Sequence, residues 1–246
     1  MSDVNAIIIL IIAGAGFVRG AVGFGDALFA MPLLALVATT QFSSALMALC
    51  ALLMALILLA KEWRHLEFRA AVTLTGCGFL GIPLGHQLLK LGNEVAVKAV
   101  LAVAVMAFSL WSLWRPSVAE LKSDRPAPLF GFLSGVLGGA YNIAGPPLVI
   151  FGTLRKWSAQ QLRSVMQAYC IAGSIVIVCL KGADGAVTKE VLSHFAVAIP
   201  ALVIATLIGQ RITRDMPTER FARWVHVCLL ISSLTLLYSC FRPVTS

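Results

Sequence analysis

Charged side chains are scarce in this chain of 246 residues, of which Asp, Glu, Lys and Arg make up 12% and hydrophobic residues 59%. A water-soluble domain carries about twice that share of charge. So few polar groups cannot cover a surface that faces water, so most of the surface must face lipid. The scarcity excludes a soluble enzyme or binding domain and predicts an all-α integral membrane protein that forms a single transmembrane domain over residues 1–246.

Spacings typical of metal sites are absent as well. The six cysteines lie inside or at the ends of apolar segments, and none belongs to a CxxC or CxxxH pattern. A buried cysteine without such a pattern behaves as a small hydrophobic residue in helix packing. We therefore predict no disulfide framework and no metal site. We also predict no cofactor and no catalytic residue.

A basic leader is missing too, because Asp3 is the only charge before the first apolar run at residues 6–18. That run therefore lacks the basic segment of a signal peptide, and we expect it to remain on the mature chain. The net charge of +8 does not indicate nucleic-acid binding, because Lys and Arg fall in short clusters between apolar segments. Clusters of this kind are typical of loops that set membrane topology.

Long apolar runs are what the sequence does contain. Six of them approach the ~20 residues that a membrane-spanning helix requires. They are residues 42–60, 70–89, 95–114, 164–180, 191–210 and 224–241.

An internal repeat organises the chain, since residues 16–33 align without gaps over residues 131–148. Six of the eighteen columns are identical: Gly16/Gly131, Phe17/Phe132, Gly20/Gly135, Gly23/Gly138, Pro32/Pro147 and Leu33/Leu148. The polar stretch 115–128 lies between the repeats. The pattern predicts two halves, residues 1–122 and 123–246.

Each half begins with a glycine-rich element that does not resemble a single spanning helix. In the first half the apolar runs 6–18 and 27–38 are only about a dozen residues long. The second half has the runs 129–140 and 143–154, with Gly145-Pro146-Pro147 expected to interrupt the second arm. Each half is thus predicted to hold a broken or re-entrant helix pair plus three transmembrane helices.

The distribution of basic residues predicts the orientation. If each glycine-rich element turns back, thirteen Lys and Arg residues gather on one side of the membrane and five on the other, with Arg19 left aside. A single crossing of each element gives no such asymmetry. Because basic residues concentrate in cytoplasmic loops, we predict a multi-pass inner-membrane protein with both termini in the periplasm and two inverted repeats.

The two predicted breaks, residues 20–26 and 135–142, are the candidate substrate site. Broken helices of inverted repeats meet near the bilayer midplane, and helix N-termini there favour anions. Glycines at such breaks either let backbone approach a ligand or let helices pack closely. The candidate substrate-binding residues are Arg19, Gly20, Gly23, Gly25, Asp26, Gly135, Gly138, Gly139, Tyr141 and Asn142.

Four of these candidates carry polar side chains with two open interpretations each. Arg19, a cation within a membrane segment, either binds an anion or pairs with Asp26. Asp26 either caps the returning arm or couples transport to protons. Tyr141 and Asn142 either donate hydrogen bonds to a ligand or cap their helix. Four further polar residues could contribute to the site, although the sequence does not show which way their helices face: Thr73, Ser134, Gln167 and Gln210.

The two motifs GFVRGAVGFGD…MPLL and GFLSGVLGGAYNIAGPPLV resemble the paired glycine-rich signatures of the TauE/SafE family. The resemblance covers both halves. It implies a permease, often an exporter, for small anions such as sulfite, sulfoacetate and other organosulfonates or organic acids. It places at the substrate region Gly20, Gly23, Gly25, Gly135, Gly138, Gly139, Asn142 and Pro147.

The sequence leaves two other classes of membrane protein open. Residues 23–26 spell the GxGD motif of intramembrane aspartyl proteases, whose chemistry needs two carboxylates that share a proton. The other aspartates lie in the tail or in loops: Asp3, Asp124, Asp184 and Asp215. An anion channel is the remaining alternative, although the repeat favours alternating access.

Overall fold

The computed structural model describes residues 2–34, 36–91 and 121–213, together with positions 103, 106, 107 and 110. The three continuous ranges hold eight α-helices and one short 3-10 helix, Trp63–His65. The α-helices are α1 (Ser2–Val22), α2 (Asp26–Leu34), α3 (Thr40–Glu62), α4 (Phe68–Leu91), α5 (Ala127–Tyr141), α6 (Gly145–Leu154), α7 (Ala159–Ala183) and α8 (Lys189–Thr213).

Five helices in the described ranges are long and apolar enough to cross a membrane, namely α1, α3, α4, α7 and α8. Four of them confirm the predicted spans at residues 42–60, 70–89, 164–180 and 191–210. The predicted span 224–241 lies outside the described residues, and the span 95–114 lies outside them except at four positions. The chain is therefore a multi-pass membrane protein, and every regular element in its described ranges is a helix.

The first glycine-rich element differs from its prediction in length. Instead of a short arm that ends at Val18, α1 runs for 21 residues and carries Arg19 in its last turn. The break is confined to residues 23–25, where Gly23 and Gly25 have φ of +91° and +94°. Glycine adopts this left-handed backbone without a steric penalty, so these two residues end α1 and redirect the chain. The returning helix α2 has only nine residues, about half of what a crossing requires.

The second glycine-rich element breaks later than predicted. Helix α5 continues through Gly135, Gly138 and Gly139 to Tyr141, so the break is limited to residues 142–144. Asn142, at φ 60°, is the C-cap of α5. The prediction that Gly145-Pro146-Pro147 interrupts the second arm is wrong, because α6 begins at Gly145 with proline in its first turn. Proline fits there since the first N–H groups of a helix have no intrahelical partner.

The two groups of four helices pack against each other reciprocally. Helix α1 of the first group lies along α8 of the second, and α5 of the second lies along α4 of the first. Between them, α3 contacts α7. The first glycine-rich helix of each group thus packs against the last described helix of the other.

Glycines make these two long contacts possible. A Cβ added to Gly20 would collide with the backbone carbonyl of Thr206 in α8, and a Cβ added to Gly135 would collide with that of Gly78 in α4. Small residues let helix backbones approach closely in membranes, where van der Waals packing drives helix association. The repeated pair Gly20 and Gly135 therefore serves equivalent helix contacts in the two groups.

Candidate functional site

A small cavity of about 40 Å³ lies where the two helix breaks meet. Its wall includes Gly23, Gly25 and Asp26 from the first break and Asn142 and Gly145 from the second. The N-terminal ends of α2 and α6 both lie at this cavity. The N-terminus of a helix carries about half a positive charge, and two of them at one cavity favour an anion. At α6 this contribution is mainly the helix dipole, because Pro146 and Pro147 have no backbone N–H.

Arg19 is the cation of this cavity and is 2% exposed. Its Nη1 donates to Asp26 Oδ2 at 2.7 Å. Its Nε and Nη2 both donate to Gln167 Oε1, at 3.2 and 2.8 Å. Of the two interpretations of Arg19, the structure therefore shows the pairing with Asp26. Asp26 is the first residue of α2, so its carboxylate lies at the positive end of that helix.

Gln167 of α7 joins the two groups of helices at this point. Besides accepting from Arg19, its Nε2 donates to the carbonyl oxygen of Gly23 at 2.7 Å. The side chain is fully buried, and its contacts fix both the guanidinium and the backbone at the first break. The sequence offered only one indication of this role, an amide within an apolar span, because burying an amide is costly unless it is hydrogen bonded.

Asn142 holds the second break against α3. Its Nδ2 donates to the backbone oxygen of Ser44 at 2.8 Å and to Ser44 Oγ at 3.0 Å. Its backbone N–H donates to Gly138 O, which closes the last turn of α5. Asn142 lines the cavity, whereas the neighbouring Tyr141 is buried and is not among the residues that line it. The capping interpretation of Asn142 thus matches its contacts.

The candidate glycines separate into two groups. Gly23, Gly25 and Gly138 line the cavity. Gly20, Gly135 and Gly139 lie instead where a Cβ would collide with the backbone of α8 or α4. Pro147 is buried in the first turn of α6.

Asp26 is the one carboxylate that lines the cavity within the described part of the chain. Its polar partner is a guanidinium rather than a second carboxylate. An aspartyl protease needs two carboxylates that share one proton. The described residues also contain no group of three His, Cys, Asp or Glu side chains that could hold a metal ion. A single carboxylate paired with a guanidinium does not favour the protease alternative.

A second, wider cavity opens beside the first break, at the end of the bundle where α3 ends and α7 begins. Its volume is about 850 Å³. Its charged and titratable wall residues are Lys61, Glu62, His65, Arg163 and Arg211. We call this cavity the vestibule.

At the opposite end of the bundle, α4 is tied to the end of α7. Asp184 accepts from Lys90 Nζ and pairs with His86 Nε2, both at 2.5 Å. The hydrogen bonds from Lys90 and His86 hold the pKa of the Asp184 carboxyl below its usual value. These three side chains join the two helix groups at the end away from the vestibule.

The family described as "Sulfite exporter TauE/SafE" matches residues 8–236. The chain belongs to the TauE/SafE family. This confirms the resemblance seen in the paired glycine-rich motifs and, because the family consists of transporters, also the prediction that the chain is not an enzyme.

A curated TauE/SafE relative is similar over part of its length. The "Probable sulfite/organosulfonate exporter TauE" of Cupriavidus necator is 26% identical over 158 residues, which is 62% of this chain and 61% of that protein. The chain thus spans about three-fifths of the length of this relative. No solved structure matches the chain.

Proposed function

We propose that this chain moves a small oxyanion, namely sulfite, sulfoacetate or another organosulfonate or organic acid, out of the cell by alternating access. The observation that carries the proposal is the convergence of the α2 and α6 N-termini with the buried Arg19 guanidinium on one cavity. The family description and the name of the relative, both of which refer to sulfite export, support the choice of anion.

The chemistry of the cavity suits an oxyanion in particular. A guanidinium has five N–H donors in a planar fork, which match the oxygens of carboxylates, phosphates and sulfonates. Arg19 uses one nitrogen on Asp26 and two on Gln167. The Asp26 carboxylate therefore occupies the position next to Arg19 that a substrate anion would take, and the substrate would bind by replacing it.

Displacement of the Asp26 carboxylate from Arg19 by the substrate gives this carboxylate a second role. When a substrate anion takes Arg19, the Asp26 carboxylate is left in a buried site without its cation, and uptake of a proton would remove that cost. We therefore propose protons as the coupling ion.

Alternating access requires a site that opens to one side at a time. The reciprocal packing of α1 with α8 and of α4 with α5 supports two inverted repeats that move against each other. The basic residues Lys61, Arg163 and Arg211, which the charge distribution assigns to the cytoplasm, lie together at the vestibule. In this proposal the vestibule is the cytoplasmic entrance, the termini are periplasmic, and the contacts of Asp184 close the periplasmic side.

Flux through reconstituted liposomes tests this function. We expect purified protein to catalyse saturable exchange of sulfite or sulfoacetate, with faster uptake when the same anion is present inside the liposomes. Acceleration by a pH gradient would support proton coupling. A channel would instead give flux that internal anion does not accelerate, and absence of flux for every anion tested would remove the proposed function.

A further inference from the structure

We propose that the vestibule is a second anion-binding site, which collects the oxyanion before it reaches Arg19. The inference rests on the proposed function, because it assigns the vestibule to the same substrate. The cavity of about 850 Å³ is large enough to hold a hydrated oxyanion. It lies between the end of α3, the start of α7 and the end of α8.

The charge of the wall favours anions. Three cationic side chains line the vestibule, Lys61, Arg163 and Arg211, against the single carboxylate of Glu62 within the described residues. Glu62 is paired with one of them, since its Oε1 lies 3.2 Å from Arg163 Nε. The wall therefore keeps an excess of two positive charges even when His65 is neutral. A cleft lined by charges of one sign raises the local concentration of the opposite ion.

Two of the cations are available to a ligand. Lys61 is exposed and donates only to the neutral amide oxygen of Gln210, at 2.8 Å. Arg211 is exposed and has no ion pair within the part of the chain that the structure describes. The α7 N-terminus, with Ser158 and Ala159 in the wall, adds the positive end of a helix of 25 residues.

The vestibule lies next to the cavity at the two helix breaks, with Arg163 and Gly23 between them. Gly23 lines that cavity, and a Cβ on it would lie 2.5 Å from Cγ of Arg163, which lines the vestibule. The first helix break, where Gly23 lies against the Arg163 side chain, is thus between the vestibule and the cavity that Arg19 lines. Glu62 forms an ion pair with Arg163 at this point.

The test compares two double variants in liposomes made of phosphatidylcholine alone. Lys61→Gln/Arg211→Gln removes two charges from the vestibule wall. Arg64→Gln/Arg69→Gln removes two charges from the same end of the bundle, at residues that do not line the vestibule. The initial rate of sulfite exchange is measured against sulfite concentration at low and high potassium chloride. Arg211→Gln alone serves if the first double variant does not fold.

We expect the vestibule variant to raise the KM for sulfite about tenfold at low salt, with kcat unchanged and with a weaker dependence of KM on salt. The control variant should keep the KM and the salt dependence of the unchanged protein. Equal KM values in the two double variants would overturn the second site and leave the proposed function intact. If the unchanged protein exchanges neither sulfite nor sulfoacetate, both the second site and the proposed function are contradicted.

The headgroup of an anionic lipid has chemistry similar to that of the oxyanion. A separate experiment distinguishes the two ligands. Native mass spectrometry after reconstitution with phosphatidylglycerol measures how much of this lipid the protein retains. If only the vestibule variant retains less phosphatidylglycerol and its KM for sulfite is unchanged, the vestibule cations bind lipid and the proposal is overturned. Equal retention by both variants, with the KM raised only in the vestibule variant, is the expected result.

Discussion

Arg19 and Asp26, seven residues apart in the chain, form a buried ion pair across the first helix break, with 2.7 Å between Nη1 and Oδ2. The cation lies in the last turn of α1 and the carboxylate begins α2. Removing one partner of a buried pair costs about 3–5 kcal/mol, because the other charge stays buried without compensation. The pair therefore ties the two arms of the break together, and a substrate anion must compete with Asp26 for Arg19.

Gln167→Leu should weaken anion binding although Gln167 carries no charge. The change removes the two hydrogen bonds from Arg19 to Gln167, which help to orient the guanidinium, and the bond from Gln167 to Gly23 O. We expect sulfite affinity to fall by about 1.5–3 kcal/mol, the range for hydrogen bonds to charged groups. Equilibrium binding of labelled sulfite to purified protein measures it. Gln87→Leu, at an exposed position of α4, is the control and should bind normally; equal affinity in both variants would contradict the assigned role.

Gly135→Ala and Gly138→Ala should fail in different ways. A Cβ at Gly135 collides with the backbone of Gly78, whereas a Cβ at Gly138 lies 3.4 Å from Ala144 Cβ, an ordinary contact. We expect Gly135→Ala to lower the amount of folded protein and Gly138→Ala to fold but transport less, because its methyl group enters the cavity. Size-exclusion chromatography followed by flux measurement separates the two. Folded, active Gly135→Ala protein would contradict the packing role.

Gly23→Leu is a weaker test of the cavity, although the sequence makes Gly23 equivalent to Gly138. At φ +91° any side chain strains the backbone. A loss of transport in this variant would therefore not separate a blocked cavity from a distorted break.

The Asp184 contacts predict a stability that depends on pH. Because the pKa of this carboxyl is lowered in the folded protein, its contribution is present above the pKa of an unfolded Asp, about 3.9. The contribution is lost as pH falls through the lower pKa of the folded state. Asp184→Asn should therefore unfold at a lower temperature than the unchanged protein at pH 7. The difference should shrink toward pH 3, and a difference that is constant with pH would exclude an ionised Asp184 as its cause.

Cysteine labelling tests the proposed orientation. In a background without the native cysteines, Asn5→Cys and Val187→Cys should react with a membrane-impermeant reagent in intact cells, because both lie at the end of the bundle away from the vestibule. Ser123→Cys should react only after the cells are opened. Labelling of Ser123→Cys in intact cells, with Asn5→Cys and Val187→Cys protected, would reverse the orientation.

Long-range partners are what the sequence could not supply. Hydrophobicity located α3, α4, α7 and α8, because lipid imposes one length and one composition on any spanning helix. The contact of Arg19 with Gln167 joins residues 148 positions apart, and no local pattern encodes it. The predicted site residues remain predictions. Six of them are supported by their place around one cavity: Arg19, Gly23, Gly25, Asp26, Gly138 and Asn142.

The glycines show why a motif can predict a position but leave its role open. Spacing of four residues places Gly16 and Gly20 on one face of α1, yet only the neighbouring α8 backbone reveals that this face is a helix contact. The break between the arms depends instead on positive φ at Gly23 and Gly25. Likewise, the sequence Gly145-Pro146-Pro147 is compatible with the start of a helix as well as with an interruption. In the structure α5 ends at its C-cap Asn142, and α6 begins at Gly145.

Sulfite binding to Arg19 is tested most directly by the Kd of labelled sulfite for the unchanged protein, Asp26→Asn and Arg19→Gln/Asp26→Asn. Asp26→Asn keeps the cation and removes its competitor, so it should bind sulfite at least as tightly as the unchanged protein. The double variant buries no unpaired charge and should fold, yet lose about 1.5–3 kcal/mol of affinity, which raises the Kd by one to two orders of magnitude. A folded double variant that binds sulfite as tightly as the unchanged protein would show that Arg19 only neutralises Asp26 and does not bind the anion.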